Sequence, residues 1–493
     1  MNKILAFTLF FGLQVTVAQK NIFQERDFWK EQPSIETIDL KIKEGNNPTK
    51  LNRFGFDAVA WAILEKVDNK TIKHLLNIEG NGINKLTHDG RTYIFWAAYK
   101  DNVKLVKYLI KNGAKMDVID DKGYSILNFA AVTGQQNPKL YDLLLKNGAS
   151  IDQKTPKGVN ALLLIAASLK DLKFTQYFTD KGLKLTDVDH EGNGIFNYAA
   201  VKENKDILNA IVNKGLPYKN LNKNDGNAML FATKRSRNGY NSLDYFKYLD
   251  SLGINPNVTT KNGKTPLHNL AYSCKDIASY EYFIAKGNKV NSQNKDGNTA
   301  LITASYSNDL NVINLLLKHT KNINLINKKG NSALTYAVEG NTAKTVELLL
   351  KKGADINIID NKGNNLMYYL LQSYSSKSED VFNHKLELLG SNGLDMTSAQ
   401  ENGNTLYHIA LDKNSIPLLK LIKPFKQNIN AKNKEGYTAL QKAVMTAKNM
   451  DIIKHLISEG ASKVVSTDFN ESILDLAKEN EAINHQNLNF LKL

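Results

Sequence analysis

Gly263-Lys264-Thr265-Pro266-Leu267-His268 is the stretch that decides the fold. A glycine there supplies the positive φ that closes a tight turn. The Thr265 hydroxyl can then accept from the free N–H groups at the start of a helix. Pro266 takes the first helical position, where a missing N–H costs nothing. Outward from this stretch the pattern recurs. Turn glycines stand at Gly55, Gly90, Gly123, Gly158, Gly192, Gly226, Gly263, Gly297, Gly330, Gly363, Gly403 and Gly436, with gaps of 33 to 40 residues. Asn470 takes the place in a last, degenerate unit, asparagine being next best for a left-handed backbone.

The surroundings repeat as well. Thr299, Ser332, Thr405 and Thr438 hold the capping place, and Ala97-Ala98, Ala130-Ala131, Ala166-Ala167, Ala199-Ala200, Ala337, Ala410 and Ala443 mark a short first helix. Aliphatic second helices follow, as in Ile313-Asn314-Leu315-Leu316-Leu317 and Val346-Glu347-Leu348-Leu349-Leu350. Gly113, Gly148, Gly353 and Gly460 stop them as left-handed caps. Strand-like arms such as Asp355-Ile356-Asn357-Ile358-Ile359-Asp360 lead to the next turn.

A turn–helix–loop–helix unit of 33 residues with Thr265-Pro266-Leu267-His268 in full resembles the ankyrin repeat, and Gly403-Asn404-Thr405-Leu406-Tyr407-His408 and Gly330-Asn331-Ser332-Ala333-Leu334 are close variants. The resemblance covers residues 33–480. It implies an all-α ankyrin-repeat solenoid of about 12–13 helix–loop–helix repeats with β-turn fingers, in which each repeat buries its apolar face only against its neighbours. Only one unit keeps the tetrapeptide intact, and the sixth and tenth units are long. The expected organisation is a signal peptide at 1–18, N-terminal capping helices of an incomplete repeat at 19–50, the repeat array at 51–465, and a C-terminal capping repeat and tail at 466–493.

Composition narrows the role. The chain has 493 residues, 42% of them hydrophobic, and a formal charge of +15. Only five of its 64 basic residues are arginine, namely Arg26, Arg53, Arg91, Arg235 and Arg237. The remaining lysines are spread along the chain among many acids and asparagines. Nucleic-acid readers cluster charge and favour arginine, so no specific nucleic-acid partner is expected. Lys3 followed by the apolar run Ile4–Val17 has the layout of a cleavable export signal, which places the protein in the periplasm or outside the cell. No later stretch reaches the ~20 apolar residues of a membrane span. Cys274 is the single cysteine, so no intramolecular disulfide can form.

Enzymatic motifs are not evident. Asp187-Val188-Asp189-His190-Glu191-Gly192 begins like a calcium loop, but its twelfth place is Tyr198 in place of a bidentate glutamate. Gly192 is also in register with the other turn glycines. No phosphate loop and no His-Glu-x-x-His pair occurs. His268 and Cys274 could be a base and a nucleophile, but His408 holds the same place as His268 with no cysteine near. In the ankyrin family that histidine bonds the turn backbone and the threonine hydroxyl. The expectation is a protein that is not an enzyme, holds no cofactor and no metal, and is a monomer.

The resemblance also places a partner on the concave face and turn tips. By register that face carries Arg91, Tyr99, Lys100, Tyr124, Lys202, Lys264, Tyr272, Tyr306 and Tyr437. Tyrosine suits such contacts, being large, rigid and polar at one end. Tyr99 with Tyr124, and Tyr272 with Tyr306, are expected to form two patches; the alternative is that these rings pack against neighbouring turns. A second candidate region is the insertion in the sixth unit, Lys234 to Ser242, with Arg235, Arg237 and Tyr240. The inserted loop Ser373 to Asp380 in the tenth unit belongs to the same second region, and the alternative for both loops is tolerated surface variation. The function expected is a protein-binding scaffold of the exported compartment. An envelope-associated structural role for the lysine-rich surface, or partnership with an exported enzyme, is the alternative.

Overall fold

The computed structural model describes residues 20–492, so the segment expected to direct export lies outside the described residues. The chain forms two compact units, one ending at Tyr218 and the other starting at Lys219. The described residues form 27 α-helices and no strand, joined by turns and short 3-10 segments. The arms leading to the turns were expected to be strand-like. Among the described arms only an isolated bridge forms, Ile119 with Ser125, because each arm is too short to build a ladder; a second isolated bridge, Ser236 with Gly239, lies in the sixth-unit insertion. None of the described helices is long and apolar enough to cross a membrane.

One repeat of the second unit shows why the sequence folds this way. Asn327 accepts from the N–H groups of Lys329 and Asn331 through its side chain and closes the turn, with Gly330 at φ 85°. Ser332 caps the helix Ala333–Gly340 by accepting from the Thr335 N–H. Thr342 caps the helix Ala343–Lys351, and Gly353 ends it at φ 87°. Leu334, Ala337, Val338, Val346 and Leu349 are wholly buried, so both helices face a shared interior. At about 1.5–3 kcal/mol for each large aliphatic side chain buried, packing between repeats dominates the stability.

Consecutive turns are tied by backbone. In the first unit Asp121 N–H donates to Asp89 O at 2.9 Å; in the second, Lys328 N–H donates to Asp296 O at 2.9 Å and Asn361 N–H to Lys329 O at 3.0 Å. Near the N-terminus, Trp29 and Phe23 are fully buried, and the Trp29 indole N–H donates to Phe23 O. The helix Ile35–Lys43 follows with Ile38 inward. At the other end Ser472 and Asp475 form a capping box on the helix Ile473–Glu479.

Two local expectations change. In the sixth unit the left-handed residue is Asp225, at φ 59°, one place before Gly226. Asn222 closes that turn by accepting from the Asn224 and Gly226 N–H groups. In the tenth unit the inserted residues are not a simple loop. Ser376–Ser378 form a 3-10 turn that runs into the 13-residue helix Glu379–Ser391, with Tyr374 and Phe382 buried edge to face at 5.3 Å.

Candidate partner-binding surfaces

The residue after each turn glycine was expected to be open, but its exposure depends on what the next repeat offers. Arg91 is a correction to that expectation. It is buried at 7% exposure. Its Nε and Nη2 both reach Asp120 Oδ2, at 2.8 and 2.7 Å, and Nη1 lies 3.2 Å from Asp89. Its guanidinium stacks 4.3 Å from the centre of Phe129 and 5.3 Å from that of Trp96. A side chain held on three sides in this way holds repeats together and cannot meet a partner.

Tyr124, Lys264 and Tyr437, at the equivalent place, are half-buried. The Tyr124 hydroxyl titrates above its usual range because burial and the Asp120 carboxylate both disfavour phenolate. The carbonyl of Tyr437 accepts from His408 Nε2 at 3.0 Å. Tyr99 is half-buried too, its ring 6.1 Å from that of Phe129 with the Lys100 ammonium 5.1 Å above it. The first-unit tyrosines therefore pack on neighbouring rings and turns more than they project. Lys202 is exposed, with Nζ 2.9 Å from Ser168 Oγ.

Openness in the second unit is different. Tyr272 is 64% exposed and Tyr306 47%. The Tyr306 ring meets Tyr336 edge-on at 6.1 Å, and the Tyr336 hydroxyl accepts from Asn327 Nδ2 at 3.1 Å. Tyr336 was missed in the sequence because it lies mid-helix, where the pattern reads as core. Arg235 and Arg237 are exposed on a hairpin closed by Ser236 and Gly239. Tyr240 is half-buried and donates its hydroxyl to Asn269 O at 3.1 Å, pinning that hairpin to the next repeat.

A periodic feature also went unread. Leu51, Leu86, Ile119 and Val188 in the first unit, and Leu221, Ile326 and Ile359 in the second, are 39–59% exposed. Each stands four residues before the left-handed residue of its turn. Lys154, Gln293 and Lys432 hold the same place elsewhere, so folding does not demand an apolar side chain there. The repeat period itself is the signal that would have found this column.

The candidate chemical groups have structural duties. Asp189 accepts from the Glu191 and Asn193 N–H groups at 2.9 Å and from the Tyr198 hydroxyl at 2.7 Å, which uses the carboxylate for the turn. No cluster of three metal-ligating side chains occurs among the described residues. At His268, Nδ1 accepts from the Thr265 N–H at 3.1 Å, so the ring proton sits on Nε2, which donates to the carbonyls of Ser292 and Asn298 at 3.0 Å. Burial lowers its pKa and keeps this neutral form. Cys274 is buried, and burial pushes its thiol pKa up, away from the thiolate a nucleophile needs. His268 and Cys274 are thus not brought together as base and nucleophile.

A family model described as "Ankyrin repeats (3 copies)" matches residues 59–155, 229–327, 276–360, 307–383 and 374–468, tracts that together span more than half of the chain. No curated protein gives a significant match.

Proposed function

The chain belongs to the ankyrin-repeat family, and on that premise we propose that it is a protein-binding scaffold of the exported compartment that holds its partner on the concave face and turn tips of its repeats. Ankyrin-repeat proteins are generally protein-interaction scaffolds and typically not enzymes.

The observation that carries the finer reading is the exposure of Tyr272 and Tyr306. Both stand nine residues after their turn glycines, and Glu339, Gln372 and Asp412 hold that place in later repeats. Packing therefore does not require a tyrosine there. A large rigid ring left in water costs solubility unless it is covered by a partner. Export rests on the apolar run Ile4–Val17 behind Lys3. Fractionating the native cell and cross-linking the protein in place tests both parts. The reading expects the protein in the periplasm or medium with a protein cross-linked through the Tyr272–Tyr306 region. Retention in the cytoplasm, or cross-links confined to other surfaces, would contradict it.

A further inference from the structure

The chain uses lysine for nearly all of its positive charge, so its few arginines call for individual accounts. Arg26 pairs with Glu65 at 2.5 Å, Arg53 lies over the Phe54 ring at 4.6 Å, and Arg91 is buried on Asp120. Arg235 and Arg237 differ. Both are exposed, and neither pairs with a carboxylate among the described residues; Arg235 acts on its own hairpin only through the field it exerts on the Tyr240 hydroxyl. They lie on one hairpin that departs from the repeat, between the helices Ala228–Ala232 and Leu243–Ser251.

That hairpin is held in place. Ser236 N–H donates to Gly239 O at 2.8 Å, and the Tyr240 hydroxyl reaches both Asn269 O and Ser273 Oγ, at 3.1 and 3.4 Å. Ser273 directly follows the exposed Tyr272, and Asn308 Nδ2, just past Tyr306, donates to Ala271 O at 3.0 Å. The two forks are thereby set beside a strip of open rings. Further along, the place of these tyrosines is taken by Glu339 and Asp412, which would repel a negatively charged occupant. Exposed arginines and exposed tyrosines thus occur together in the sixth to eighth repeats.

We infer that this surface takes an extended acidic peptide segment, with carboxylates on Arg235 and Arg237 and apolar side chains laid over Tyr272 and Tyr306. The inference rests on the scaffold reading above and names the partner chemistry of one part of it. An arginine fork binds a carboxylate through two parallel N–H···O bonds, which a lysine ammonium cannot reproduce. A proline-containing extended chain presents flat faces to tyrosine rings with little ordering cost.

Fluorescence anisotropy on the full chain tests this with three labelled probes: a dodecapeptide alternating Glu and Pro, its Gln–Pro counterpart, and a single-stranded dodecamer of deoxyadenylate. The expected result is binding of the acidic peptide alone. Arg235→Gln with Arg237→Gln should weaken it at least about tenfold, the size of one lost charge-assisted bond. Arg235→Lys with Arg237→Lys should also weaken it, since charge without the fork is not enough. Unchanged thermal melting of each variant shows that folding is intact. Equal binding of the two peptides, or no effect of either pair of substitutions, overturns the inference. Equal or tighter binding of the oligonucleotide with the same arginine dependence overturns it in favour of a nucleic-acid surface. If the acidic peptide fails while Tyr272→Ala with Tyr306→Ala still abolishes capture of the native partner, the peptide class falls and the scaffold reading stands.

Discussion

The guanidinium of Arg91 closes on the carboxylate of Asp120, one repeat further along, at 2.7 Å, with the Asp120 side chain fully buried. The remaining oxygen of Asp120 accepts from the Lys122 and Tyr124 N–H groups, at 2.9 and 2.8 Å. One carboxylate thus closes its own turn and anchors the previous repeat. Removing the arginine leaves a buried charge with no counter-ion. Arg91→Ala is expected to destabilise the first unit by about 3–5 kcal/mol in urea unfolding. Arg91→Lys should recover only part, because a lysine can neither fork onto Asp120 nor stack on Phe129. A cost below about 1 kcal/mol for the alanine variant would mean that the pair is solvated and that Arg91 is available at the surface.

Turn glycines are not equivalent. At Gly263, φ is 73° and an added Cβ would sit 2.0 Å from the carbonyl oxygen of Gln293 in the next finger. At Gly363, φ is 90° but nothing lies within 4 Å of that position. Gly363→Ala should cost only the left-handed backbone, about 1–2 kcal/mol. Gly263→Ala should cost roughly 2 kcal/mol or more beyond that, since backbone must move to admit the methyl. Thermal or urea unfolding of the two variants measures the difference; equal losses would show that the fingers are not in close contact.

Lys385 is 3% exposed, and Nζ donates to Val338 O at 2.8 Å with no carboxylate partner among the described residues. Burial holds its pKa to about 8, against 10.5 for an ordinary lysine. Between about pH 8 and 10.5 the unfolded chain binds this proton and the folded chain does not. Stability contributed by this group therefore rises with pH across that window, and below pH 8 the full penalty applies. Lys385→Met keeps the length of the side chain without the charge. It should stabilise the second unit by about 1–2 kcal/mol at pH 7 and flatten the rise between pH 8 and 10. Loss of stability at pH 7, with the rise retained, would place the ammonium in contact with water.

The sequence made the repeat legible because its constraints are backbone constraints. A positive φ at Gly330 or Gly403, an oxygen at Thr299 or Thr438, and a proline at 266 each leave a residue identity behind. At Asp225-Gly226 the sequence points one place late, because both residues tolerate the left-handed region and only the bonds to Asn222 separate them. The surface was less legible. Arg91 and Lys264 share one place after the turn glycine, yet only Arg91 is buried, because Asp120 and Phe129 lie 29 and 38 residues ahead to receive it. Whether such a side chain projects is set by a neighbouring repeat, not by its own register. The tenth insertion departs from a loop for a related reason. Ser375 to Ser378 look like a loop, and only the burial of Tyr374, Phe382 and Lys385 turns the segment into the entry of a longer helix.

The account stands most directly on whether the open tyrosines of the second unit hold a protein. The measurement is quantitative cross-linking and mass spectrometry of the native protein against Tyr272→Ala with Tyr306→Ala, melting curves of both being matched. We expect one protein, cross-linked near these repeats in the native chain, to fall at least about tenfold in the variant, the size of effect that truncating buried aromatic anchors has at an interface. The same protein recovered in the same amount from the variant would contradict the account.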